Sequence, residues 1–226
     1  MKLPWVLTAG LAAVVLTATA AGLVTPPTLR RLPEPELATG EHKPLYTDLP
    51  PPPLAWGAAA WAAALALATV TSLPANKWAP FLVVALVGSV GCIIDAATTW
   101  LPRRILHVGW LLTPLALVLS TAWSASAWSA VVRAAVGALI TGVLLLAAHL
   151  WAGFGLSDAR LGLLTGAIAA WISWDTLLAA LFLGSVVGAG WGLVHSWQHG
   201  RGTPFPYGPS LLFGPYLAVL ANAVVR

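Results

Sequence analysis

The run AVVRAAVGALITGVLLLAAHLW, residues 130–151, decides the fold: over 22 residues it carries one arginine, one histidine and no other ionisable side chain. At 1.5 Å per residue, a helix of this length crosses the roughly 30 Å hydrocarbon core of a bilayer. Inside lipid the backbone must satisfy its own N–H and C=O groups, and a helix does so within one segment. Working outward, further apolar runs lie at about Leu3 to Val24, Leu54 to Leu73, Pro80 to Ile94, Ile105 to Thr121, Leu161 to Trp174, Thr176 to Trp197 and Ser210 to Val225. The pattern predicts an all-α, polytopic transmembrane bundle of about eight helices. Three runs fall short of the roughly 20 residues a straight span needs, so flanking residues extend them or the segment between Asp158 and Asp175 dips shallowly.

Composition agrees. Of 226 residues 59% are apolar and 8% charged, and the mean hydropathy is +0.85. No water-soluble core needs so much apolar surface. Lys and Arg number 11 against 7 Asp and Glu. In a soluble domain that excess would point to nucleic acid; here it reads as loop charge that orients helices. With the amino terminus outside, Arg30, Arg31, Lys43, Arg103, Arg104, Arg160 and Arg201 fall on one side, which is thereby expected to be cytoplasmic. Lys2, Lys77, Arg133 and Arg226 fall on the other. The single cysteine, Cys92, allows neither a disulfide framework nor a four-cysteine zinc site within this chain.

The domain expectation is a first transmembrane helix over 1–24, retained rather than cleaved because Arg30 and Arg31 resist translocation, then a Pro-rich cytoplasmic linker over 25–53 and a core over 54–226. The linker is too polar to form a domain and is expected to be poorly ordered. Tryptophans near the run ends, among them Trp56, Trp100, Trp110, Trp151 and Trp197, read as interfacial anchors in a lipid bilayer.

Acids in or beside membrane helices are costly, so each is a functional candidate. Outside the linker there are three: Asp95, Asp158 and Asp175. The helix count brings Asp95 and Asp158 to one cytoplasmic boundary and Asp175 to the opposite one. Two close carboxyl groups in a poorly solvated site cannot both ionise, so one holds a proton while the other takes one from water. That is the chemistry of metal-free peptide hydrolysis, and no cofactor is expected. Gly153 and Gly155 would let backbone approach a substrate strand. The structural alternative is that Asp158 caps the helix after it and Asp95 is a wet helix end near Arg103 and Arg104.

Three segments resemble the type IV prepilin peptidase family. The first aspartate ends an apolar helix with a proline seven residues on, as in Ile94, Asp95, Leu101 and Pro102. The second lies in a Gly-x-Gly-Asp type motif followed by a basic residue and Leu, matched by Gly153, Gly155, Asp158, Arg160 and Leu161. The third is a Phe/Tyr-Gly-Pro turn before the last helix, matched by Pro206-Tyr207-Gly208-Pro209 and echoed in Phe213-Gly214-Pro215-Tyr216. The resemblance implies a multi-pass protein of the bacterial cytoplasmic membrane, with Asp95 and Asp158 as a catalytic pair that cleaves the leader of a prepilin or pseudopilin substrate. Ser157 stands where the motif has a glycine, so a β-carbon must fit that turn. The cytoplasmic zinc-binding insert of larger members is absent, and methyltransferase activity, substrate identity and oligomeric state are not legible in the residues.

Other readings are a transporter or non-catalytic scaffold, and a serine protease using Ser157 with His195 or His149 as base. A transporter would place its acids nearer mid-membrane. His195 and His199 stand one turn apart without a third metal ligand at suitable spacing.

Overall fold

The structure, a computed structural model, describes residues 3–34, 44–122, 127–152, 154–200, 203 and 205–225. Among the described residues eight α-helices follow one another: α1 (Leu3–Arg31), α2 (Pro51–Ser72), α3 (Trp78–Thr98), α4 (Arg103–Thr121), α5 (Ala127–Ala152), α6 (Leu156–Ile172), α7 (Trp174–His199) and α8 (Gly208–Val224). Six of them are long and apolar enough to cross a membrane. The other two, α6 and α8, have 17 residues each.

The burial pattern is that of a bundle in lipid: leucines such as Leu16, Leu23, Leu111 and Leu150 face outward, while threonines are buried. Thr25, Thr69, Thr98 and Thr121 return their hydroxyls to the carbonyl four residues earlier, so these four hydroxyls are satisfied within their own helices. Close helix approach uses small residues. A β-carbon on Gly137 of α5 would overlap Ala170 of α6, and one on Gly214 of α8 would overlap the Ala180 carbonyl of α7. The helices pair as α1 with α2, α5 with α6 and α7 with α8. Between these pairs α3 is central, packed on α1, α2, α4, α6 and α8.

Two expectations are corrected. The first helix does not stop near Val24; Thr25 to Arg31, assigned to the linker by composition, are helical, and α2 already begins at Pro51. Pro26 and Pro27 remove two backbone donors, yet the helix continues because Thr25 bonds to Ala21 and Leu29 is buried against the bundle. Nor is the linker only a solvated tether. The Glu34 carboxylate accepts from the amides of Tyr46 and Thr47, both at 2.8 Å, and closes a 3₁₀ turn over Tyr46–Asp48. Tyr46 and Leu49 are buried, and the Tyr46 ring meets Trp100 edge-on at 6.3 Å.

Basic residues sort to the two ends. At one end Arg104 donates to the Arg31 carbonyl at 3.0 Å, with Arg103 at the start of α4 and Arg160 in the first turns of α6. At the other, Arg133 donates to the carbonyls of Ala170 and Trp171, both at 2.6 Å, while Lys77 lies over the Trp171 ring. A guanidinium there satisfies the orphan carbonyls at the end of α6. Lys2, Lys43, Arg201 and Arg226 lie outside the described residues.

Candidate functional site

Asp95 sits in the last turn of α3 and is 4% exposed. The helix stops just beyond it because Thr99 adopts a left-handed conformation, φ 59°, and its amide donates back to the Asp95 carbonyl at 2.7 Å. The carboxylate itself accepts the Gly208 amide, 3.1 Å from Oδ2, at the first residue of α8. Here glycine is required by space: a β-carbon on Gly208 would stand 2.7 Å from that oxygen. Pro206, Gly208 and Pro209 are all buried, and Pro209 occupies the first turn of α8, where its missing N–H costs nothing. Pro102 starts α4 after the α3 turn, with Leu101 buried beside it. The Phe213-Gly214-Pro215-Tyr216 echo lies inside α8; Gly214 packs on α7, and the Tyr216 hydroxyl donates to the Phe81 carbonyl at 2.6 Å. It serves packing away from Asp95.

Asp158 lies in the first turn of α6 and is 7% exposed. Gly155 is the N-cap: its amide donates to Asp158 Oδ2 at 3.0 Å, and the Asp158 amide donates to the Gly155 carbonyl at 3.0 Å. Asp158 is therefore not the N-cap weighed from sequence: α6 begins earlier, at Leu156, and the carboxylate reaches back from the third helical position to the Gly155 amide, which fixes how it points. Ser157 causes no strain. It lies in helical backbone, and among the described non-glycine residues Thr99 alone has a positive φ. Arg160 is half-buried, its carbonyl accepting the Trp110 indole N–H at 3.1 Å. Gly153 lies outside the described residues. Asp175 is exposed in the first turn of α7, at the far end of α6.

The surroundings of the two aspartates are tied together by side chains that sequence reasoning missed. Tyr207, just before Gly208, packs its ring edge-on against Phe154, just before Gly155, with centroids 4.7 Å apart. The residues that donate to Asp95 and to Asp158 are thus the chain neighbours of two rings in contact. Cys92, one turn before Asp95, is fully buried. Tyr46 lies near enough to feel Asp95. Burial first, then Glu34 and Asp95, push its phenol up to about 12. The glycines around Phe154 were the one visible sign of a special turn there; nothing in the sequence marked Tyr46.

His149 does not serve Ser157. Its Nδ1 contacts the Phe154 carbonyl instead. His195 and His199 stack at 4.3 Å. Among the described residues no three His, Cys, Asp or Glu side chains gather as a metal site requires. Tyr207 also borders a small cavity of ≈ 50 Å³ between α5, α6, α7 and α8.

Over 91 residues the chain resembles prepilin leader peptidases. It is 34% identical there to the prepilin leader peptidase/N-methyltransferase of Aeromonas hydrophila, and to the protein of that name from Aeromonas salmonicida (strain A449). Each match covers 36% of this chain and 30% of the relative, so the chain spans less than a third of the length of the relatives it matches. No family model and no solved structure matches.

Proposed function

We propose that this chain is an intramembrane aspartic endopeptidase, using Asp95 and Asp158 to remove the leader peptide of a type IV prepilin or pseudopilin at the cytoplasmic face of the bacterial inner membrane. The observation that carries this reading is the pair of buried carboxylates at one end of α3 and α6, whose amide donors Gly208 and Gly155 are joined through the Tyr207–Phe154 ring contact. A structural cap alone has no need for a second buried acid at the same end. The partial likeness to prepilin leader peptidases supports the substrate class.

In the proposed reaction, one carboxylate is ionised and the other protonated, because two charges in so dry a site repel. The ionised one takes a proton from water as its oxygen bonds to the scissile carbonyl carbon, and the protonated one gives its proton to the carbonyl oxygen. The tetrahedral intermediate then breaks its C–N bond. A proton passes to the leaving nitrogen, and the pair returns to its starting state. The Gly208 and Gly155 amides hold the carboxylates in place so that little reorganisation is needed.

The test is leader processing of a co-expressed prepilin by wild type, Asp95→Asn, Asp158→Asn and Ser157→Ala. The expected result is a new amino terminus just after the leader in wild type and Ser157→Ala. Each asparagine variant should lose roughly 10²–10⁴-fold, the usual weight of an acid–base group. Full processing by both asparagine variants would overturn the reading.

A further inference from the structure

His149 stands near the end of α5, half-buried and outside the chemistry described so far. Its Nδ1 contacts the Phe154 carbonyl oxygen. A carbonyl only accepts, so Nδ1 carries the proton. The peptide unit whose C=O is held in this way is the one whose N–H, that of Gly155, donates to Asp158 Oδ2 at 3.0 Å. A peptide unit is planar, so fixing its oxygen fixes the direction of its hydrogen.

The geometry points to His149 as a positioning residue. By holding the Phe154 carbonyl it aims the Gly155 amide at Asp158 and sets how that carboxylate faces Asp95. The effect on turnover rests on the peptidase reading above; the effect on the Gly155 amide does not. The same peptide unit carries the Phe154 side chain that packs on Tyr207, so one imidazole contact also orients the ring that reaches toward the Asp95 side. A residue serving only to end its own helix would donate to the carbonyls of α5. His149 instead reaches across the loop to the cap of α6.

Three substitutions in the full-length protein separate the roles. His149→Asn keeps an N–H donor near the δ position, His149→Gln moves the donor outward, and His149→Phe keeps a ring without one. With a prepilin-derived substrate, His149→Phe and His149→Gln are expected to lower kcat roughly 10–100-fold, the scale of a small misplacement of a reacting group, with KM nearly unchanged, while His149→Asn recovers most of the loss. Wild-type kcat in His149→Phe, or equal loss in His149→Asn and His149→Phe, would overturn the proposal. A second readout needs no activity. In ¹⁵N-histidine-labelled protein the His149 ring is expected as the Nδ1–H tautomer, and in ¹⁵N-glycine-labelled protein the Gly155 amide resonance is expected to move in His149→Phe but to stay near its wild-type position in His149→Asn. An Nε2–H tautomer, or an unchanged Gly155 shift in His149→Phe, refutes the positioning role. A wild type that folds but cleaves nothing refutes the peptidase reading alone, and the amide shift then decides the role of His149.

Discussion

At the scale of single residues, the site depends on two glycine amides that face two acids, and the two glycines differ in what they tolerate. At Gly208 a β-carbon would lie 2.7 Å from Asp95 Oδ2; at Gly155 it would lie 3.1 Å from Asp158 Oδ2, within reach of a small adjustment. Gly208→Ala is therefore expected to lower leader processing roughly 100-fold by displacing Asp95, with Gly155→Ala losing much less. Equal activities in a purified assay would contradict this. Tyr46 gives a pH test. Its phenol titrates near 10.0 when unfolded and at about 12 in the fold, because burial, Glu34 and Asp95 disfavour the anion. The stabilisation of the neutral phenol is fully present below pH 10 and is lost as pH rises toward 12, because the unfolded state releases its proton first. Thermal unfolding across that window should show wild type losing stability relative to Tyr46→Phe, whereas parallel curves would exclude a buried phenol.

At the scale of elements, the ends of helices matter more than their lengths. The apolar runs were legible because lipid selects long uninterrupted stretches, and each of the eight appears as a helix. Their limits were less legible. Composition reads Pro26 and Pro27 as a break, but in the bundle Leu29 is buried and the helix runs on to Arg31. Burial by neighbours is a tertiary fact that no local window contains. Arg133 teaches the same lesson: in sequence it is a lone charge in an apolar run, and in the fold it closes the end of α6 through three carbonyls, those of Ala170, Trp171 and Ile172. Arg133→Met is expected to destabilise the protein in detergent by about 2 kcal/mol, the loss of charge-assisted bonds to groups left unpaired. An unchanged unfolding midpoint would show those carbonyls to be otherwise satisfied.

At the scale of the whole molecule, alternating helices carry Asp95 and Asp158, distant in sequence, to one end with Arg103, Arg104 and Arg160, while Lys77 and Arg133 mark the other. The positions of the acids were legible because ionisable groups are rare in membrane helices. The link between them was not: Tyr207 stands in the Tyr-Gly-Pro turn, but nothing in the sequence pairs it with Phe154 until the bundle brings their rings to 4.7 Å. In a Cys92→Ser background, cysteines placed at the exposed His107 and His199 should react with an impermeant thiol reagent only from the cytoplasmic side, and cysteines at Asn76 and Asp175 only from the other. Mixed labelling would break the proposed orientation.

In the proposed reaction Asp95 and Asp158 act together on one reacting carbonyl. A leader peptide with a hydroxyethylene isostere at the scissile bond mimics the tetrahedral intermediate, and its affinity measures that cooperation directly. Wild type is expected to bind the isostere at least about 100-fold more tightly than the unmodified peptide, and both Asp95→Asn and Asp158→Asn are expected to abolish the preference. A preference that survives in either variant, or is missing from wild type, would contradict that joint action.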